Sequence, residues 1–135
     1  MNDDLRRALD VALSDVRRSG FEGVKVIDSE WGRAPIQTAA LLASPFGQVG
    51  VSILFAQSPT EQLVAVADQV QDFVHELILL PSGRPVVWPE CPIHPGSHPL
   101  TAVDDEELGP AWRCVPSGRT VARIGELGRS CVGRA

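Results

Sequence analysis

Tyrosine is absent from the 135 residues, lysine and methionine occur once each, and cysteine and histidine three times each. Each shortage excludes something. An odd, small number of cysteines, at 91, 114 and 131, argues against a disulfide framework and leaves metal binding or incidental thiols. No apolar run approaches the roughly 20 residues that a membrane helix needs. The opening MNDDLRRALD is acidic and amphipathic where a secretory signal has a basic start and an apolar run. A cytoplasmic location without membrane attachment is therefore expected. Catalytic signatures are missing too. No glycine-rich phosphate loop or Ser/His/Asp arrangement is present, and His75-Glu76 is followed by Leu79 where H-E-x-x-H requires a second histidine. The H-x-E and P-C-x-x-C pair of nucleobase deaminases is absent as well.

What is present fits a soluble globular chain long enough for one ordinary domain, or a small domain with an appendage: 44% apolar and 21% charged residues. The net charge of −5 is unevenly spread. Residues 1–112 carry 7 basic and 16 acidic side chains, whereas residues 113–135 carry five arginines and one glutamate. Most of the chain should repel a polyanion. Only the arginine-rich C-terminal segment could attract one, and a charged tail is more often a solvated surface than a nucleic-acid footprint.

The spacing predicts an α+β unit over residues 1–84. Leu5, Leu9, Ala12, Leu13 and Val16 form one helical stripe, with Asn2 or Asp3 to cap it and Gly20 to stop it. Three extended stretches follow, VKVID (24–28), TAALLAS (38–44) and QVGVSILFA (48–56). Their short connections imply an antiparallel meander. Ser58-Pro59-Thr60-Glu61 then opens a second helix with a capping box and a proline at its first position. A three-stranded sheet has open edges, so pairing with a second copy or another protein is expected. In order of elements alone, this part is similar to small dimeric proteins and secretion chaperones of α-β-β-β-α order.

Beyond residue 84 the composition changes: eight of the eleven prolines lie between 81 and 116. About 45 residues of this kind bury little core, and chains of that size usually lean on a metal, a disulfide or a neighbour. Here lies CPIHPGSHPL (91–100). Cys91 and His94 have the C-x2-H spacing of a metal knuckle, and Cys114 follows in CVPSG. His98, across the bendable Pro95-Gly96-Ser97, can complete a Cys2His2 tetrahedron, for which zinc is the natural metal. The metal-free alternative makes Cys91 and Cys114 small buried apolar residues, with both histidines exposed among prolines. If His98 does not bind, three ligands plus water would be the arrangement of a zinc hydrolase, with Glu90 the carboxylate nearest in sequence.

CVPSG resembles the second knuckle of a zinc ribbon, C-P-x-C-G, with Ser117 where the last cysteine would stand. The resemblance covers residues 85–128 and implies a small β subdomain held by structural zinc. Its strands would be PVVWPE before Cys91 and RTVARIGEL after Gly118, with the acidic run 104–107 as a solvated turn between them. WPECPIHPGSHPL, AWRC and VARIGEL are also similar to the C-terminal part of short actinobacterial proteins, which implies no activity. Trp88 and Trp112 are expected to wall the metal site, His75 to be structural, and residues 129–135, with Cys131, to form a flexible tail. The expected function is a non-enzymatic interaction or adaptor protein with a structural zinc at Cys91, His94, His98 and Cys114. The alternatives are a zinc-dependent hydrolase with an open metal position and, more weakly, nucleic-acid binding through the arginine-rich segment.

Overall fold

Asn2 opens the first helix, α1 (Asp3–Arg18): its side chain accepts the Leu5 N–H at 2.9 Å. The computed structural model describes residues 1–29, 31–80, 82–84 and 86–128. The tail with Cys131 lies outside them. The end of α1 is equally local in origin. Gly20, at φ +92°, donates to Arg17 O, and Phe21 donates back to Val16 O, the paired bonds of a left-handed helix stop that glycine adopts without strain.

Three strands follow in the expected order: β1 (Lys25–Ile27), β2 (Gln37–Ser44) and β3 (Gly47–Leu54) form an antiparallel sheet. Ala40 and Leu42 on β2 face the core with Val51 and Ile53 on β3. On the opposite face the Trp31 ring lies on Gly50, so close that a Cβ there would stand 1.8 Å from it. β3 is an edge strand, but part of its edge is covered. Gln69 accepts the Ser52 N–H and donates to the Ser52 carbonyl, while Gln57 accepts the Leu54 N–H and Gln62 donates to the Leu54 carbonyl. These glutamines stand in for a neighbouring strand.

The second helix, α2 (Pro59–Leu77), starts with a reciprocal capping box between Ser58 and Glu61. It packs on α1 and β3, and also against β4 (Thr101–Asp105) and β5 (Gly109–Cys114) of a second antiparallel sheet, which β6 (Arg119–Arg123) completes. The architecture is α+β, with two helices and two three-stranded antiparallel sheets among the described residues. The buried apolar side chains form one cluster from Leu5 and Phe73 to Trp88, Cys91, Trp112 and Cys114. The boundary expected at residue 84 falls between Ile78 and Val86, both members of that cluster. Among the described residues no helix is long and apolar enough to cross a membrane.

The second sheet keeps one of the two strands expected for it, β6 within RTVARIGEL, and departs from the other. Residues 86–89 carry no strand, and only Glu90 pairs, with Pro99, because prolines at 89, 92, 95 and 99 offer no N–H to a ladder. Asp104 and Asp105, expected in a solvated turn, instead end β4. Asp105 accepts from Thr120 Oγ1 at 2.6 Å, from Arg113 Nη2 at 3.0 Å and from the N–H groups of Glu107 and Leu108. One carboxylate thus ties all three strands together.

Candidate metal centre

A sharp excursion of the chain supplies three of the four side chains. Its base is closed where Leu100 N donates to Pro89 O and Glu90 pairs with Pro99. Its tip is a turn in which Ser97 N donates to His94 O, with Pro95 at the second position and Gly96, at φ +73°, at the third. That is the residue order a type II turn demands, proline presetting the first dihedral and glycine tolerating the positive one. The turn reverses the chain, so that His98 comes back beside His94. The Gly96 N–H is further held by the Glu90 carboxylate at 3.0 Å.

Cys114, the last residue of β5, supplies the fourth. The β5–β6 hairpin closes when Gly118, at φ +74°, donates to Cys114 O at 2.8 Å. The Ser117 hydroxyl contacts Cys114 O at 3.4 Å and accepts the Arg119 N–H at 3.3 Å. Burial pushes the Cys114 thiol up, but hydrogen bonds from the Ser117 hydroxyl and N–H, helped by Cys91 and His94, outweigh it and bring the thiol down to about 6. Ser117 thus supports the thiolate of Cys114, the fourth side chain of the cluster.

The ligand atoms of Cys91, His94, His98 and Cys114 all lie within 4.8 Å of one another. His94 Nδ1 is 3.2 Å from His98 Nε2, 3.7 Å from Cys91 Sγ and 3.4 Å from Cys114 Sγ, and Cys114 Sγ is 3.6 Å from His98 Nε2. A tetrahedral ion with bonds of about 2.3 Å to sulfur and 2.0–2.1 Å to nitrogen sets its ligands apart by about 3.4 Å (N to N) and 3.6 Å (S to N). The four distances agree with that polyhedron within a few tenths of an ångström. His98 Nδ1 lies 2.8 Å from Pro99 O, to which it donates, so that Nε2 presents its lone pair to the cluster. Both cysteines are fully buried and both histidines partly so. The four residues are positioned to bind one metal ion, and two thiols with two imidazoles are compatible with zinc.

The cluster rests on the shared core. Trp88 and Trp112 meet edge to face, with ring centroids 5.4 Å apart, in the buried cluster that holds both cysteines. His75 Nε2 lies 2.8 Å from Trp88 O, a contact with the backbone beside the excursion. Gln71 donates to the carbonyls of Trp88 and Leu100, the two sides of the excursion's base. Asp15 is the residue that the sequence pattern did not single out. Fully buried on α1, it accepts from Trp112 Nε1 at 2.9 Å, from the N–H groups of Gly125 and Leu127, and from Arg18. Its only local signal is an acidic side chain beside the apolar stripe, between Leu13 and Val16.

No family model, curated protein or solved structure matches the chain.

Proposed function

We propose that this protein is a non-enzymatic interaction or adaptor protein whose second sheet is a variant zinc ribbon, fastened by one structural zinc ion on Cys91, His94, His98 and Cys114. One observation carries the reading: the spacing of the four ligand atoms suits a closed tetrahedron. A closed shell leaves no position for water or substrate, which separates a structural site from a hydrolytic one. Glu90, the carboxylate nearest in sequence, is held by the Gly96 N–H within the turn. An adaptor role is supported by the apolar side chains left at the surface beside both ligand turns, Ile93 and Val115, the latter 59% exposed. A protein partner or a second copy suits such a surface better than nucleic acid does, since Arg113 is paired with Asp105 and Arg123 with Glu126.

Elemental analysis of protein purified without chelator or metal-affinity resin tests the reading. One zinc per chain is expected, and a value near zero overturns it. In His98→Ala a closed structural site loses metal and thermal stability together, whereas an open catalytic site would keep both.

A further inference from the structure

Between the end of α1, the approach to Cys91 and β6 lies a cavity of about 290 Å3, which the metal centre does not use. Phe21, Trp88, Pro92, Val121 and Leu127 line it, and Glu90 is the one charged residue among the described residues of its walls. This is the usual make-up of a small-molecule site: concave, mostly apolar, about 300 Å3 or more, with few polar groups to orient the ligand.

The polar groups decide what would bind. Ser19, at the wall, is engaged: its hydroxyl accepts from Trp88 Nε1 at 2.9 Å and donates to Asp15 O at 2.9 Å. Arg18, which reaches the carbonyl oxygens of Gly125 and Leu127 nearby, is held by Asp15. Among the described residues the wall therefore offers an anion no free side-chain donor. The Glu90 carboxylate has a single partner among the described residues, the Gly96 N–H on Oε1, which fixes its position and leaves Oε2 available. We infer that the cavity is a binding site for a small apolar ammonium compound, whose hydrocarbon or aromatic part fills the space beside Trp88 and Phe21 while its cationic nitrogen meets Glu90. The site does not depend on the identity of the metal.

Calorimetric titration of the full chain with three probes of equal carbon number tests this: 2-phenylethylamine, 2-phenylethanol and phenylacetate. The amine should bind with a Kd below about 1 mM, the alcohol at least about tenfold more weakly, and the acid not measurably. Glu90→Gln, a change at an exposed residue, should bring the amine to the affinity of the alcohol. Val121→Trp, which fills the space, should abolish binding of both. Absence of amine binding up to millimolar concentration overturns the proposal. So does equal binding of all three probes, or an amine affinity that neither substitution changes.

Discussion

Residues 1–80 bury leucine, valine, isoleucine and phenylalanine at regular helical and strand spacing. Residues 86–128 bury two tryptophans, two cysteines, small residues and only three larger aliphatic side chains, Val86, Leu100 and Ile124. The first region can hold itself together by burial, at about 25 cal/mol per Å2 of apolar surface removed from water. The second has too little such surface and relies on point attachments. The carboxylate of Asp105 across three strands and that of Asp15 reaching from α1 are two of its fastenings, and a metal on Cys91, His94, His98 and Cys114, as proposed, would be a third. An apolar face tolerates substitution one side chain at a time, whereas a point attachment fails when a single residue changes.

The largest expected effect separates the regions outright. Chelation, or Cys114→Ser, should release the second region's tryptophans from their ordered setting while the helices survive. Near-UV circular dichroism should collapse with far-UV helicity mostly retained, and the melting temperature should fall by about 10 °C or more. Parallel loss of both signals would show that the regions do not differ in this way.

Next is the link between them. Asp15→Ala strands three buried or part-buried donors, Trp112 Nε1 and the N–H groups of Gly125 and Leu127, and leaves Arg18 without its carboxylate. A loss of about 3 kcal/mol in urea unfolding is expected, well above the cost of an ordinary surface change. Within the first region, Gln69→Ala uncovers the Ser52 edge of β3 and should cost about 1 kcal/mol by the same measurement.

The smallest effect is a pH dependence confined to the second sheet. The Thr120 hydroxyl, the Leu108 N–H and Arg113 hold the Asp105 carboxyl well below its usual range. A depressed carboxylate stabilises the fold above the unfolded value, about 4, and that contribution is lost as the pH falls toward the folded value. Asp105→Asn should therefore melt below the parent near neutral pH, and the difference should narrow below about pH 4. A gap independent of pH would mean that Asp105 acts through shape and not charge.

Much of the first region was legible in the chain. Both helices begin at the expected caps, and the three strands lie within a residue or two of the expected stretches, because caps, turns and alternation depend on neighbours a few positions away. The second region was legible where its chemistry is local, in the C-x2-H spacing and the Pro95-Gly96 turn that returns His98. Of its strands only β6 was, within the expected RTVARIGEL. β4 ends in two aspartates and β5 begins with Gly109-Pro110, residues that by themselves signal a loop. Pairing within one meander, and Thr120 and Arg113 around Asp105, override that preference.

Residue types and short spacings were enough to say which side chains can ligate a metal and where the helices start and stop. That Asp15 meets Trp112, 97 positions away, and that Cys114 comes to lie beside residues 91–98, are facts of the assembled fold. No short-range preference encodes them. They arise because a buried carboxylate must find donors and apolar surface must leave water, and only packing α1, α2 and the second sheet on one core brings those partners within reach.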